Sequence, residues 1–240
     1  MKFDVVIATM WREPRLTEYL SHYCGYENVN NIYIIDNDKS ARPEHKILNH
    51  EKINLISYGR NIYVNPAMNE GYYRTKTEVI TFLNDDVFVE EDIFKFMSIQ
   101  NFSNIDVVGV HLKGSVDNYH IVEHPDKKEE LIKLNVDKTQ PIGGQAYAFG
   151  VVMFMKRSSY RIIPSLYQIW YGDDYLIQRC ENVYVLKTSK VHGEISKTIV
   201  NLEKEGYSDI KNRINLDTRN AYKYNHFRNV RNWDIIRKTL

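Results

Sequence analysis

The first 112 residues alternate apolar runs with segments whose apolar residues recur at helical spacing. The nearly continuous apolar runs predict five strands that are buried on both faces. The predicted strands are Phe3–Thr9, Asn31–Asp38, Ile53–Tyr58, Val79–Leu83 and Asp106–Leu112. Helices are predicted between them, one opened by Pro14 and one over residues 65–78 after an Asn cap. Strands that alternate with helices indicate crossover units and a mostly parallel, Rossmann-like central sheet with helices on both faces.

The second half of the chain has a different pattern. A polar, loop-rich stretch covers Gly114–Gln140, and within it a short helix is predicted around Lys127–Leu134. The apolar run Ala146–Met155 follows, then an amphipathic stretch over Tyr175–Cys180 and a predicted strand at Val183–Leu186. After about residue 198 the pattern predicts helices of a terminal extension. We therefore predict an α/β fold with a C-terminal helical extension.

Composition excludes several classes of protein. The length of 240 residues fits one large domain, or one domain with an appendage. Apolar residues make up 43% and charged residues 26%, which excludes wholesale disorder and collagen-like structure. No apolar run approaches the ~20 residues of a spanning helix, and the first residues carry no signal-peptide pattern. With only Cys24 and Cys180, no disulfide framework or cysteine-based zinc site is expected, so the predicted location is the cytoplasm.

Polar residues follow three of the predicted strands: Trp11-Arg12, Asp36-Asn37-Asp38 and Asn84-Asp85-Asp86. In parallel sheets ligands bind at the carboxyl ends of strands. The last of these clusters also fits a turn with Asx hydrogen bonds and capping carboxylates. Adjacent carboxylates repel each other, however, and are best tolerated beside a cation. A divalent ion with oxygen ligands and phosphate partners is the natural candidate.

Two further clusters lie at element boundaries. Asp173-Asp174 follows Gly172 at a predicted helix start, and His192 follows a predicted strand. Taken alone, the carboxylate pair is explained by helix capping and the histidine by packing. The joint occurrence of carboxylate, carboxylate and histidine clusters favours a catalytic site over these separate structural explanations.

The ordered set of motifs resembles glycosyltransferases of the GT-A fold, in the style of the large inverting family and of β-1,4-galactosyltransferases. Those enzymes have a nucleotide-binding first half, a DXD motif after a strand, an acceptor motif like W-G-G-E-D, and a later metal-binding histidine. The matching stretches are Asn69-Glu70-Gly71, Leu83-Asn84-Asp85-Asp86-Val87, Phe149-Gly150, Trp170-Tyr171-Gly172-Asp173-Asp174 and His192. The resemblance covers about residues 3–198.

The resemblance implies a metal-dependent donor site. Asp86 and His192 would ligate Mn²⁺ or Mg²⁺, and the diphosphate of the nucleotide sugar would complete the shell. The implied nucleotide-sugar-binding residues are Thr9, Arg12, Asp36, Asn69, Asn84 and Asp85. Asn84 departs from the acidic first position of the motif, because an amide adds no charge to the site.

The resemblance also implies an acceptor site in the second half. Asp174 would be the catalytic base, and Asp173 would stand for the glutamate that grips the acceptor. Trp170, Tyr171 and Gly144 are the implied acceptor-binding residues, and the Gly143-Gly144 segment is expected to form a lid. In an inverting transfer, the base removes the hydroxyl proton on one face of the sugar, while the cation stabilises the departing diphosphate on the other.

The predicted organisation is a glycosyltransferase domain over residues 1–198, with a nucleotide-sugar half (1–112) and an acceptor half (113–198). Residues 199–240 form a basic, aromatic extension. The last thirty residues contain eight Lys/Arg and two Asp/Glu, a net charge of +6, although the whole chain has a net charge of only +1. This charge suits a polyanion, because Lys and Arg neutralise phosphates and aromatic rings stack on bases.

The predicted function is transfer of a sugar from a UDP-sugar to an acceptor hydroxyl. The favoured acceptor is DNA with hydroxymethylated pyrimidines, as modified by bacteriophage-encoded enzymes in the host cytoplasm; reaching it could require base flipping. The alternatives are a glycan or lipid-linked saccharide, with the extension on an anionic membrane surface, or a solvated extension without a partner. A nucleotide-sugar-binding module without catalysis is the alternative outside enzymes. A nucleotidyltransferase is disfavoured because the chain lacks a Gly-rich phosphate loop near the first strand.

Overall fold

The computed structural model describes residues 1–110, 129–139, 149–193 and 208–229. The strands are β1 Phe3–Thr9, β2 Val29–Asp36, β3 Ile53–Ser57, β4 Val79–Asn84, β5 Val87–Val89, β6 Val107–Val110, β7 Glu130–Leu134, β8 Val152–Lys156, β9 Val183–Lys187 and β10 Val191–Gly193. The helices are α1 Leu16–Gly25, α2 Val64–Arg74, α3 Glu91–Ser98, α4 Gly172–Ile177 and α5 Ser208–Asn229. Short 3-10 turns occupy Lys39–Ala41, Lys46–Asn49 and Arg157–Ser159.

Eight strands form one sheet in the order β3-β2-β1-β4-β8-β6-β9-β7. Strands β1 to β4 pair in parallel, as do β6 and β9. Strand β8 is antiparallel to both of its neighbours, and β7 is an antiparallel edge strand on β9. The predicted α/β fold with a mostly parallel central sheet is therefore confirmed. Strands β5 and β10 form a separate two-stranded ribbon.

The core lies on both faces of this sheet. On β1, Phe3, Val5 and Ile7 pack in the cluster that contains the apolar faces of α1 and α3. Val6, on the other face, packs in the cluster that contains residues of α2 and α4. A strand that is buried on both faces needs apolar residues at successive positions, which is why the continuous run Phe3–Thr9 was recognisable in the sequence.

The strand order reverses between β1 and β4. After β1, the chain adds β2 and β3 on one side and then returns to place β4 on the other side of β1. At such a switch point the segments that leave the two neighbouring strands diverge and open a crevice at their carboxyl ends. The crevice here opens beyond Thr9 of β1 and Asn84 of β4, where the sequence places its polar clusters.

One predicted element is wrong. The helix predicted around Lys127–Leu134 is, over Glu130–Leu134, the edge strand β7. The sequence Glu-Leu-Ile-Lys-Leu fits one face of a helix as well as a strand, and pairing with β9 decides between them. The helix predicted over residues 65–78 ends earlier, at Arg74.

Both cysteines are buried and neither forms a disulfide. Burial raises the pKa of Cys180 to about 12, so this thiol is protonated at neutral pH and behaves as a core residue. Among the described residues, no helix is long and apolar enough to cross a membrane.

Asp106, just before β6, links neighbouring chain segments at the end of the sheet that is opposite the crevice. It accepts hydrogen bonds from Ser159 Oγ (2.6 Å) and from the N–H groups of Glu181 (2.9 Å) and Asn182 (2.8 Å). Burial opposes ionisation, but these three hydrogen bonds outweigh it and lower the pKa of Asp106. A carboxyl group whose pKa falls on folding stabilises the protein above its unfolded pKa of about 3.9, and this contribution is lost as the pH falls through its folded pKa.

We therefore expect Asp106→Asn to lower the free energy of unfolding at pH 7, and the difference from wild type to shrink at pH 3. Urea denaturation at both pH values measures this. A difference of equal size at both pH values would contradict the assignment of the effect to the ionised carboxylate.

Candidate active site

The crevice between β1 and β4 is a cleft with about 910 Å³ of empty space, part of it open to solvent. Its polar lining comes from the ends of strands and the loops that follow them, and its apolar lining includes a residue of the C-terminal helix. The lining residues used below are Thr9, Asn84, Asp85, Asp86, Gly150, Ile169 and Ile210.

The turn after β4 places two carboxylates in the cleft wall. Asp85 and Asp86 are both buried. Thr9, at the end of the adjacent strand β1, donates from Oγ1 to Asp85 Oδ2 at 2.7 Å. The same Oγ1 accepts the N–H of Trp11 at 2.8 Å. Thr9 thus holds Asp85 against β1. Asn84 and Asp86, the residues before and after Asp85, also line the cleft.

We expect Thr9→Val to lower the free energy of unfolding by about 1–3 kcal/mol, because the change leaves the Trp11 N–H and the Asp85 carboxylate without their partner. Thr81→Val on β4 is the matched control. Its Oγ1 is also buried but has no hydrogen-bond partner in the described part of the chain, so this change should cost nothing or stabilise the protein. Urea denaturation of both variants checks this. Equal losses in the free energy of unfolding would show that the hydrogen bonds of the Thr9 hydroxyl do not contribute to stability.

The residues after β1 and β2 form a second polar cluster. Trp11 Nε1 donates to Asp36 Oδ1 at 2.8 Å, and Arg42 Nε lies 3.6 Å from Asp36 Oδ2. The Arg12 guanidinium contacts Asp38 at 3.0 Å. Burial opposes ionisation of Asp38, but hydrogen bonds from Ser40 and Arg12 outweigh it and lower its pKa. Asp36 and Arg12 therefore lie together beside the strand ends, but neither lines the cleft itself.

His192 also lies near the carboxyl ends of the strands. The strand pairing that places it there was not predicted from the sequence. His192 lies on β10, opposite Phe88 of β5, and its ring stacks on the Phe88 ring. A Cβ at the next residue, Gly193, would lie 2.7 Å from the backbone oxygen of Asp86, so only glycine permits this approach. His192 Nε2 contacts Glu90 Oε1 at 2.6 Å. The β5–β10 ribbon thus brings His192 next to the chain segment of Asp86.

The residues at this end of the strands fit a hard divalent cation that is also coordinated by a bound substrate. Asp86 offers carboxylate oxygens and His192 an imidazole, donors that suit Mn²⁺ and, for the oxygens, Mg²⁺. In the part of the chain that the structure describes, no three His, Cys, Asp or Glu side chains are arranged to hold a metal ion by themselves. Asp86 and His192 would therefore hold such an ion only together with further ligands, such as the oxygens of a bound phosphate.

The predicted acceptor motif lies in the turn before α4 and in its first turn. Asp173 Oδ2 accepts the N–H of Gly150 at 2.9 Å, which links the motif to the cleft wall. Asp174 is buried and does not line the cleft. Trp170 is 44% exposed, and Tyr171 has a left-handed backbone with φ of 65°.

Helix α2 holds this turn from one side. Asn65 Nδ2 donates to the Trp170 carbonyl at 3.0 Å, and the Asn65 N–H donates to the Gln168 carbonyl at 2.9 Å. A Cβ at Gly172 would lie 2.0 Å from Asn65 Oδ1, so the glycine of the motif is required for close packing.

Helix α5 holds the turn from the other side. Tyr171 Oη lies 3.3 Å from Thr218 Oγ1, and Tyr63, which also has a positive φ (66°), hydrogen bonds to Asp209. Ile210 packs with Met10 and Ile169 next to the cleft. One face of the C-terminal helix is therefore packed on the domain.

Asn69 is another predicted residue that does not line the cleft. Asn69, on the buried side of α2, bonds the N–H and carbonyl of Ile163 and accepts the Tyr160 hydroxyl, so its amide joins two parts of the fold and does not line the cleft. Gly144 and the lid predicted for Gly143-Gly144 lie outside the described residues.

The sequence argument missed several residues of the cleft. These are Met10, Asn61, Tyr63, Ile169 and Ile210. Asn61 and Tyr63 follow β3, so the rule that ligands bind at carboxyl ends of strands would have found them. Ile210 carried no such signal, because only the packing of α5 brings it to the cleft.

The fold and the cleft define a GT-A-like α/β protein with a nucleotide-type crevice. The model of the family described as Glycosyl transferase family 2 matches residues 4–162. The chain therefore belongs to glycosyl transferase family 2, and the family resemblance predicted from its motifs is confirmed. No curated protein matches the chain.

Solved structures agree on the fold. S. aureus TarS, residues 1–349, is similar with a TM-score of 0.56 and 14% identity, over 80% of this chain and 59% of that one. The same protein in complex with UDP-GlcNAc gives 0.55 and 14% over 81% and 60%, and in complex with UDP 0.58 and 14% over 80% and 59%. The chain thus spans about three fifths of the length of these TarS structures, and the predicted GT-A fold is confirmed.

Proposed function

We propose that the protein is a metal-dependent, inverting glycosyltransferase that moves a sugar from a UDP-sugar to an acceptor hydroxyl. The observation that carries this proposal is the pair of buried carboxylates, Asp85 and Asp86, at the switch-point cleft of a family 2 chain. The choice of UDP is supported by the TarS complexes with UDP and UDP-GlcNAc, which have a similar fold.

In this proposal the cleft binds the donor, with Asn84 in its wall, while Asp36 and Arg12, beside the strand ends but outside the cleft lining, would orient the nucleotide. Asp86 would hold Mn²⁺ or Mg²⁺ together with His192 of the adjacent ribbon. A divalent cation bound there neutralises the negative charge that develops on the departing diphosphate. Thr9 keeps Asp85 hydrogen-bonded to β1, and both carboxylates of the turn line the cleft that would hold the donor.

On the opposite face of the sugar, Asp174 would take the proton of the attacking hydroxyl. Asp173 keeps the turn beside the cleft through its bond to Gly150, and the exposed Trp170 offers an aromatic face to an acceptor. The separation of a proton-accepting carboxylate from the leaving-group side is what an in-line, inverting displacement requires.

The test is a panel of UDP-sugars with Mn²⁺, Mg²⁺ or EDTA, in which release of UDP is measured. We expect turnover with at least one UDP-sugar and a metal ion, and none in EDTA. If no nucleotide sugar turned over or showed metal-dependent binding, the transferase proposal would be rejected, and only a binding module would remain. Turnover in EDTA would remove the metal from the proposal.

For the acceptor, we propose DNA with hydroxymethylated pyrimidines. The support is the outer face of α5, where Lys211, Arg219 and Lys223 are exposed and Tyr222 is 77% exposed, in a segment with a net charge of +6 over residues 211–240. Three basic residues at helical spacing beside an exposed ring suit a phosphate backbone with unstacked bases.

Binding of hydroxymethylated DNA should weaken steeply between about 50 and 200 mM salt. Replacing Lys211, Arg219 and Lys223 together by Gln should flatten this salt dependence without changing UDP release in the absence of DNA. Transfer to free saccharides or lipid-linked saccharides that is independent of salt would contradict the DNA proposal and favour a glycan acceptor.

A further inference from the structure

Helix α5 carries one carboxylate that its position in the sequence does not explain. Asp217 is 0% exposed, although most of its neighbours along the helix are polar and exposed. A carboxylate is costly to bury unless hydrogen bonds replace the lost water. The family match ends at residue 162, so neither α5 nor this residue belongs to the matched region.

The Asp217 carboxylate binds three consecutive backbone N–H groups. Oδ1 accepts the N–H of Gln168 at 3.0 Å. Oδ2 accepts the N–H groups of Ile169 and Trp170 at 2.7 and 2.9 Å. Successive N–H groups that converge in this way form a concave anion site, and hydrogen bonds to an ionised acceptor are stronger than neutral ones. An internal carboxylate therefore fixes the backbone of residues 168–170.

This backbone leads directly into the proposed catalytic turn. Tyr171 follows with its positive φ, a conformation that persists only where the surroundings enforce it. Asp173 and Asp174 come next, in the first turn of α4. Asn65 holds the same turn from the α2 side. The turn is thus held between α2 and α5, and Asp217 provides most of the hydrogen bonds from α5.

We propose that Asp217 is a positioning residue for glycosyl transfer, and that α5 is an integral part of the active site. This inference rests on the proposed function. Asp217 does not touch the substrates; it sets the path of residues 168–170 and so the position of Asp174 relative to the donor. Ile210, on the same helix, forms part of the cleft wall.

The test compares Asp217→Asn with Asp4→Asn. Asp4 is also 0% exposed and accepts two backbone N–H groups, from Lys76 at 2.8 Å and Thr77 at 3.2 Å, but it lies at the start of β1, at the opposite edge of the sheet. Both changes replace a buried carboxylate by an amide whose NH₂ group cannot accept an N–H. The two carboxylates are matched in burial and both accept backbone N–H groups, although Asp4 Oδ1 also accepts the side-chain amides of Asn30 and Asn31, and the two sites differ in distance from the cleft.

Steady-state UDP release, UDP binding and amide hydrogen exchange are measured for both variants and wild type. For Asp217→Asn we expect kcat to fall roughly tenfold to a hundredfold, because small misplacements of reacting groups cost that much. The KM for the UDP-sugar and the affinity for UDP should change less than about twofold. Exchange should accelerate at the amides of residues 168–170. For Asp4→Asn we expect kcat close to that of wild type, with faster exchange at residues 76 and 77.

Two outcomes would decide against the inference itself. Equal losses of kcat in both variants would reduce Asp217 to a contributor to general stability. Unchanged kcat in Asp217→Asn, with faster exchange at residues 168–170, would show that the turn does not need this anchor for catalysis. Wild-type protein that releases no UDP from any UDP-sugar would instead reject the proposed function, which is a separate result from the comparison of the two variants.

Discussion

We expect Asp86→Ala to lose metal-dependent release of UDP by on the order of 100-fold to 1000-fold, while the protein stays folded. Asp86 is the second buried carboxylate of the turn after β4, and it lines the cleft. In the proposed mechanism its removal takes away the protein ligand that holds the cation against the leaving diphosphate. The loss should appear mainly in kcat, because the cation acts most strongly on charge that develops in the transition state.

The control for this variant is Glu181→Ala. Glu181 is an exposed carboxylate just before β9, at the opposite edge of the sheet, where it pairs with Lys138. It should leave UDP release unchanged. A second control is titration of Asp86→Ala with Mn²⁺, which should require a higher concentration for half-maximal activity. If Asp86→Ala kept wild-type turnover at the same metal concentration, Asp86 would not be a ligand.

The positions of the first strands were predictable because these strands are buried on both faces. Phe3–Thr9 has the predicted bounds, and Val79–Asn84 is longer by one residue. The short ribbon of Val87–Val89 and Val191–Gly193 was missed as paired strands, since three residues are too few for a hydrophobic period to show. The edge strand β7 was predicted as a helix, because an edge strand that is partly exposed lacks the continuous apolar run.

The position of the site was predictable from a topological rule. The carboxylates of the 84–86 cluster follow a strand next to β1, and the switch point places them at a cleft. The roles predicted for Asp86, His192, Asp173 and Asp174 stay predictions, because no ligand contact tests them. Asn69 shows why residue roles were harder than site position: its amide is occupied by Ile163 and Tyr160, and nothing in its sequence neighbourhood indicates those partners.

The contribution of the C-terminal helix could not be predicted. In the sequence, residues 208–229 are polar and basic, which suggests an extension in solvent. The structure packs one face of this helix next to the cleft through Ile210, Asp217 and Ala221. A buried aspartate in a polar helix has no sequence signature, because its partners are backbone N–H groups almost fifty residues away.

The second large effect is expected for Asp174→Asn. In the proposed mechanism this change removes the general base but keeps the shape of the side chain, so transfer should slow by roughly 100-fold to 10,000-fold. Binding of UDP and its metal dependence should stay within about twofold of wild type, because Asp174 does not line the cleft. Loss of kcat with donor binding intact separates a role in proton transfer from a role in holding the nucleotide.

Asp173→Asn is the matched variant one residue away. The carbonyl oxygen of the new amide can still accept the Gly150 N–H, so its effect on transfer should be much smaller than that of Asp174→Asn. The anomeric configuration of the product, read by NMR, gives an independent check: inversion agrees with direct attack by the hydroxyl activated at Asp174, and retention would remove Asp174 from this role.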